Sequence, residues 1–521
     1  MVALTVVDSK FPFRNYRTGQ QEAIEKAREA FEDGKRFVVI EAPTGSGKTA
    51  IAVTLAREAR SAYVLTAQKI LQDQYFRDFP DLATMKGRAN YSCEVAPTNA
   101  AAAPCIAGHR FAECESCGYF SAKGTAIAAQ GAVLNYAYFL AELNNEGGFS
   151  ERELLVLDEA HNAEAALMNY VEITLSDQSL AKAGILERIP NGFDDESYYD
   201  FAANVIPYLK ERSDIIQDQL RKVPLTSRLA LTLMQTKQWL DQQVGRLDLL
   251  EKSREEMNDE WVIERWRNTE GLGINFKPVG VSGLAKDLLF GFSQRILMLS
   301  ATILDLETFL SSLGITRDQA EFIRIESDFP PKNRPLFQRP VGKLTRMHLN
   351  RTLPHLVNEI ENLCDSHPND KGVIHAHSYR IAQHIADNLP RSLNWRLLTH
   401  SGPEGREATL DKHLNSSEPT ILLTPSMTEG IDLFDHLARW QVICKIPYPY
   451  LGDPQVARRK ELDPDWYQWR TCLTMVQAYG RSIRSSNDFA VTYILDADFS
   501  AFAAKQADRL PGWFLDAIQV E

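Results

Sequence analysis

The segment APTGSGKT, residues 42–49, closes the apolar run FVVIEA and opens a helical pattern. Gly45 and Gly47 let the backbone curl tightly around an anion, and the free N–H groups at the start of the following helix face it. Lys48 can neutralise the β and γ oxygens of a nucleoside triphosphate, and Thr49 can ligate Mg²⁺. The general phosphate-loop pattern starts with Gly; here Ala42 stands first, so Ala42, Pro43, Thr44, Gly45, Ser46, Gly47, Lys48 and Thr49 form a variant of it. Further on, LLVLDEAH puts Asp158 and Glu159 just past a buried strand, where open α/β sheets bind ligands. Asp158 suits a metal, held directly or through water. Glu159 suits orienting or deprotonating the attacking water, with His161 near the γ-phosphate. Alone, this would read equally well as a surface acidic turn; joined to the phosphate loop it reads as the other half of a hydrolytic site. QAYGRSIR, residues 477–484, spaces Arg481 and Arg484 on one face if the segment is helical. Offered across a cleft, such arginines stabilise the charge that spreads over a γ-phosphate in the transition state. On their own they would read as a structural ion pair with an acidic partner such as Asp432.

A second cluster has different chemistry. Cys93, Cys105, Cys114 and Cys117, four of the seven cysteines, fall within residues 93–117. The opening MVALTVVDSK has no basic stretch leading into a long apolar one, so it does not read as a secretory signal and the chain is read as cytoplasmic. In a reducing compartment clustered cysteines point to a metal rather than a disulfide framework. Zinc is physically reasonable, with His109 able to replace one thiolate, and free thiols remain open. Cys364, Cys444 and Cys472 sit in apolar or isolated settings and read as small buried hydrophobes.

These residues need elements to position them. Short β-branched runs bounded by turns recur in two sets: FVVIEA, YVLTA, LLVLDEA and ILMLSAT, then GVIHAH, TILLTP, QVICKI and AVTYIL. Their length and branching suit buried parallel strands, and helical patterns between them predict two α/β lobes joined through the proline-rich SDFPPKNRP. The gap from Asp158 to Ser300 is far longer than a crossover needs. It predicts a largely helical insertion, with Leu229, Leu233, Leu240, Val244 and Leu247 on one apolar face and Thr226 or Ser227 as N-cap. The cysteines form a second insertion between YVLTA and LLVLDEA.

With 521 residues, 44% of them apolar, the chain has enough material for several cores. The uncharged run 124–141 is broken by Thr125, Gln130, Gly131 and Asn135, which suits a protein core better than a membrane span. A net charge of −12 advertises no polyanionic partner, so nucleic-acid contact must come from local patches. Lys332, Arg334, Arg339, Lys343, Arg346 and Arg351 make one such patch, read as either a solvated basic linker or a phosphate-facing surface.

The ordered set of motifs resembles the superfamily 2 helicases of the XPD and DinG type. In order it runs YRTGQQEAI, APTGSGKT, LTAQ, GRANYSC, GAVLNYAYF, DEAH, LSATI, SDFPPKNR, HAHS, MTEGID, IPYPYLGDP and QAYGRSIR, from Tyr16 to Arg484. The resemblance implies two RecA-like parallel-sheet lobes with a small iron-sulfur insertion and a helical arch insertion in the first. The implied division is 1–86, 123–172 and 271–325 for the first lobe, 87–122 for the iron-sulfur domain, 173–270 for the arch and 326–521 for the second lobe. It implies an ATP-dependent DNA helicase using ATP and Mg²⁺, translocating 5′ to 3′ on single-stranded DNA and unwinding forked or duplex DNA as a monomer with no membrane. It gives Arg17 and Gln20 the adenine side, and makes Gln477 part of the catalytic set. Ser300 and Thr302 would couple ATP to strand movement, while Glu429, Gly430 and Asp432 would link the second lobe to both ligands. The four clustered cysteines would hold an iron-sulfur cluster of the four-iron type, pinning a core-poor insertion into one shape. Tyr91, Tyr119 and Phe120 are candidate stacking partners for the strand. Family members with an exonuclease carry it ahead of the helicase, and blocks beginning at Tyr16 predict none here. The alternative function is a nucleic-acid-stimulated ATPase that remodels nucleoprotein or R-loops without processive unwinding.

Overall fold

The protein is described by a computed structural model covering residues 8–107, 111–145, 148–192, 194–256, 260–327, 329–400, 402, 405–425, 433, 435–481 and 488–519. In chain order the strands are β1 (Phe37–Glu41), β2 (Ala62–Thr66), β3 (Ala83–Thr84), β4 (Gly131–Asn135), β5 (Arg152–Asp158), β6 (Ile173–Ser176), β7 (Trp261–Asn268), β8 (Gly271–Pro278) and β9 (Ser293–Ser300). They continue with β10 (Ala320–Arg324), β11 (Leu336–Gly342), β12 (Gly372–His375), β13 (Leu397–Thr399), β14 (Ile421–Thr424), β15 (Trp440–Ile443), β16 (Val491–Asp496) and β17 (Ile518–Gln519).

Two seven-stranded parallel sheets result, ordered β10-β1-β9-β5-β2-β4-β3 and β13-β14-β12-β15-β16-β11-β17. All eight runs expected as strands form strands. Every residue of β1, β2, β12, β14, β15 and β16 is buried, as continuous apolar runs must be when helices cover both faces. The long separation between β5 and β9 does not keep them apart, because β9 inserts between β1 and β5. Glu41 is in register with Ser300 and Asp158 with Leu299, so the carboxyl ends of three motif-bearing strands lie side by side.

The insertion after β5 contains the expected helical pair, Glu196–Leu220 and Arg228–Glu256, packed on one another. Ser227 caps the second helix by accepting from the Ala230 N–H at 3.2 Å. The expected apolar stripe holds at Leu240 and Leu247, both fully buried, and fails at Leu229, which is 58% exposed. The buried face turns along the helix, from Ala230 and Met234 at one end to Leu250 and Ser253 at the other, as successive neighbours take over the packing. The sequence reading did not include the antiparallel sheet β6-β8-β7, which closes the insertion across a hairpin between Asn268 and Gly271. Among the described residues, the cysteine-bearing stretch is built from short 3₁₀ turns, Arg88–Asn90, Ala100–Ala102, Pro104–Ala107 and Ala112–Ser116, and an isolated antiparallel bridge between Ser92 and Asn99, before the helix Gly118–Ala128. Its Pro104–Ala107 turn packs against the long helix Arg228–Glu256 of the other insertion. Among the described residues, no helix is long and apolar enough to cross a membrane.

Candidate active site

β1 ends at Glu41 and the helix Lys48–Glu58 starts seven positions on, so the intervening loop must turn sharply. Gly45 (φ 81°) and Gly47 (φ 82°) take up that turn in the left-handed region, which a side chain would resist. At Gly47 a Cβ would also lie 2.3 Å from Gln20 Nε2. Gln20 donates to the carbonyls of Ser46 (2.9 Å) and Gly47 (3.1 Å) and accepts from the Arg17 N–H at 2.7 Å, while the Arg17 guanidinium donates to the Gly45 carbonyl. Arg17 and Gln20 therefore brace the phosphate loop from outside. Lys48, 9% exposed, donates to the Ala42 carbonyl at 3.4 Å, and its ammonium lies 3.8 Å from Glu159 Oε1.

Asp158 is buried at the end of β5, where its Oδ2 accepts from the Tyr75 hydroxyl at 3.0 Å and its Oδ1 from the Glu159 N–H at 3.1 Å. Burial and the neighbouring Glu159 carboxylate push its pKa up to about 6, against the pull of Lys48 and Tyr75. Burial together with the Asp158 charge holds the Tyr75 phenol far above its ordinary range, so it stays a donor. A carboxylate so starved of solvent, with Lys48 and Thr49 lining the same cleft, is a chemically suitable seat for a divalent cation. Glu159 sits at φ 52°, a left-handed conformation costing about 1–2 kcal/mol outside glycine.

His161 joins three motifs. Its Nδ1 is 2.8 Å from Ser300 Oγ, and its Nε2 is 2.7 Å from Gln477 Nε2 and 3.1 Å from Asn162 Nδ2. Both amide nitrogens are donors, so Nε2 accepts and the ring proton sits on Nδ1, where it donates to Ser300. Gln477 lies near the end of the helix Pro464–Tyr479, which the second lobe lays against the first, and it also approaches Thr302 Oγ1 at 3.4 Å. Glu41 supports this arrangement from beneath. Its Oε1 accepts from the N–H groups of Ile303 and Leu304, each at 2.7 Å, and its Oε2 pairs with Arg324 Nε at 2.7 Å.

One cleft of about 860 Å³ gathers Arg17, Gln20, Thr44, Gly45, Gly47, Lys48, Thr49, Asp158, Glu159, His161, Thr302, Gln477 and Arg481. The phosphate loop and Arg481 thus share a cavity although they belong to different lobes. The helix stops at Tyr479, with Gly480 as its cap, so Arg481 is placed by the following turn and not by a helical face. Arg484, Glu429, Gly430 and Asp432 lie outside the described residues, as does His109. Tyr75, Glu41 and the exposed Phe13, which lines the same cleft, had not been singled out from the sequence. Only Glu41 left a signal, an acid ending an otherwise apolar strand.

Cys93, Cys105, Cys114 and Cys117 line a single small cavity with Val95, Pro104, Phe111 and Phe120, and none of the four is in a disulfide. Burial raises the Cys105 pKa and the Arg88 guanidinium opposes that rise, while the other three cysteines add to it. The donor set, four soft sulfurs facing one space, fits a thiolate-bound metal group. Among the described residues, however, no three His, Cys, Asp or Glu side chains are placed closely enough to hold an ion as they stand. Tyr119 is fully buried, bonded to Tyr138 and Glu142, and cannot serve as a stacking platform; Tyr91 and Phe120 are half-buried. In the basic run, Arg334 is buried over Trp513 and donates to the Phe329 and Trp513 carbonyls, a structural role, while Lys332, Arg339, Lys343, Arg346 and Arg351 are exposed. Cys364, Cys444 and Cys472 are buried, as expected.

Comparison with known proteins matches residues 360–516 to the helicase C-terminal domain family and residues 14–187 to the family described as type III restriction enzyme, res subunit. A probable ATP-dependent helicase of Methanocaldococcus jannaschii is 22% identical, over 99% of this chain and 96% of that protein. The ATP-dependent DNA helicase YoaA of Haemophilus influenzae is 21% identical, over 89% and 88%. Among solved structures, an XPD helicase aligns with TM-score 0.63 at 17% identity, covering 95% of this chain and 98% of that one. Xpd4 of S. tokodaii aligns with TM-score 0.59 at 16% identity, covering 96% and 99%. With two parallel lobes closing on a phosphate loop and the motif order intact, the chain belongs to the superfamily 2 ATP-dependent helicases of the XPD and DinG type.

Proposed function

We propose that this enzyme translocates 5′ to 3′ along single-stranded DNA and unwinds duplex or forked DNA, each step driven by ATP hydrolysis between the lobes. The observation that supports it most is the 2.7 Å contact between Gln477 of the second lobe and His161 of the first, inside the cleft that also holds the phosphate loop. In this reading the loop and Lys48 hold the triphosphate, Thr49 and Asp158 hold Mg²⁺, and Glu159 orients or deprotonates the attacking water. Arg481 and Arg484 stabilise the transition-state charge. His161, Ser300, Thr302 and Gln477 report the state of the nucleotide to the second lobe, and Arg17 and Gln20 set the adenine side. Glu429, Gly430 and Asp432 carry the link from the second lobe to both ligands.

A cavity of about 710 Å³ lies between the first lobe, the long helix Arg228–Glu256 and Arg406 of the second lobe. Asn162, Asn169 and Arg246 on its walls offer amide and cationic donors for a phosphodiester backbone, and the half-buried Tyr170 offers a ring for a base. The domain division expected from the sequence goes with this reading, with β8 assigned to the arch because it pairs with β6 and β7. Cys93, Cys105, Cys114 and Cys117 would hold a four-iron cluster, whose bonds would staple together an insertion built from short turns.

Forked DNA with either a 5′ or a 3′ tail tests the motor directly. Unwinding from the 5′ tail alone is expected. Unwinding from only the 3′ tail overturns the polarity, and strand-stimulated ATPase without unwinding at any salt replaces the helicase with the remodelling ATPase.

A further inference from the structure

The helix Ala163–Val171 follows His161 directly, and in its first turn Glu164 is buried at 5% exposure. A buried carboxylate requires partners, and both of Glu164's come from the second lobe. Its Oε2 accepts from Trp466 Nε1 at 2.9 Å, and its Oε1 accepts from Arg459 Nη2 at 3.2 Å. Arg459, on the short helix Pro454–Leu462, lies over the Trp466 ring at 5.3 Å and donates to the Val279 carbonyl at 3.3 Å. Its guanidinium fits only because residue 280 is glycine: a Cβ there would be 2.1 Å from Nη1. Beside it, Arg458 holds Glu260 through two bonds of 2.7 and 2.9 Å, and Gln455 donates to the Pro278 carbonyl at 2.6 Å.

Trp466 stands in the first turn of the helix that carries Gln477 near its end. Eleven residues of α-helix separate the two, about 16 Å at 1.5 Å per residue. On the first-lobe side, the residues they touch, Glu164 and His161, are three apart. The interface helix is thus pinned at both ends to one short segment, and the orientation of its first turn sets where Gln477 falls.

We infer that Glu164 and Arg459 are positioning residues for ATP hydrolysis: their buried pair orients the interface helix so that Gln477 meets His161. The same guanidinium touches the backbone just after β8, so a displacement of that sheet would pull on the helix. The inference rests on Gln477 acting in hydrolysis through His161.

The test is a double-mutant cycle on full-length protein, measuring kcat and KM for ATP with saturating single-stranded DNA. Melting curves establish the folded fraction of each variant. Glu164→Gln is expected to lower kcat about fivefold or more with KM for ATP within about twofold, and to lower it no further in a Gln477→Ala background, because residues acting through one contact are not additive. Arg459→Lys, which keeps the charge and loses the fork, runs the same cycle if Glu164→Gln does not fold. Multiplicative losses in the double variants, or unchanged kcat per folded molecule, overturn the inference. If Gln477→Ala alone turns over ATP normally, the reading of the His161 contact fails, and the inference fails with it.

Discussion

Gln477 donates to the ring of His161 at 2.7 Å, although 316 positions of sequence separate them. The first is presented by the helix Pro464–Tyr479 and the second by the turn after β5, and the bond exists only when the two lobes are apposed. Hydrolysis that depends on such a bond is hydrolysis that reports domain closure.

Gln477→Ala should therefore lower kcat for ATP by about 10- to 100-fold while leaving KM within about twofold, since a preorganised polar contact across the lobes is lost while the phosphate loop and Lys48 stay in place. Steady-state phosphate release with and without single-stranded DNA measures it.

Lys48→Ala should reduce ATP turnover by about 10³-fold or more, because it removes the cation that the phosphate loop sets against the β and γ oxygens. Strand binding should persist. Fluorescence anisotropy with labelled single-stranded DNA, run beside the ATPase assay, separates the two.

Glu41→Ala removes the acceptor of two buried N–H groups, at Ile303 and Leu304. Orphaned buried donors cost about 1–3 kcal/mol each, so a loss of about 2–6 kcal/mol is expected in urea unfolding. The loop carrying Thr302 should loosen as well, and Glu41→Gln, which keeps an acceptor, should lose less.

Cys114→Ser should lower iron and sulfide content and visible absorbance in anaerobically purified protein, and should damage fork unwinding more than basal ATPase. An unchanged spectrum with normal unwinding would remove the four-iron cluster from the proposal. One equivalent of zinc in its place would make the site a zinc site.

Much of the fold was legible in the sequence because the strands are continuous apolar runs, a pattern set by burial on both faces and independent of partner. FVVIEA, LLVLDEA and QVICKI needed no tertiary knowledge. WVIERWRN and GLGINFKP were harder: their partly exposed residues spread apolar and charged side chains over a half-solvated sheet, and they sit within a stretch dominated by helix. The failure at Leu229 has a related cause, since a helix packed by successive neighbours has no fixed stripe to read.

By itself the sequence determined that a phosphate loop follows one strand, that a carboxylate pair follows another and that four thiols are close in chain order, because each depends on local spacing alone. Only the tertiary structure decided that β9 enters between β1 and β5, that Tyr75 bonds Asp158, that Glu164 and Arg459 pair across the lobes and that Gln477 reaches His161. Those relations depend on which strand lies beside which and how two lobes abut, and such long-range packing leaves no periodicity in the chain that makes it.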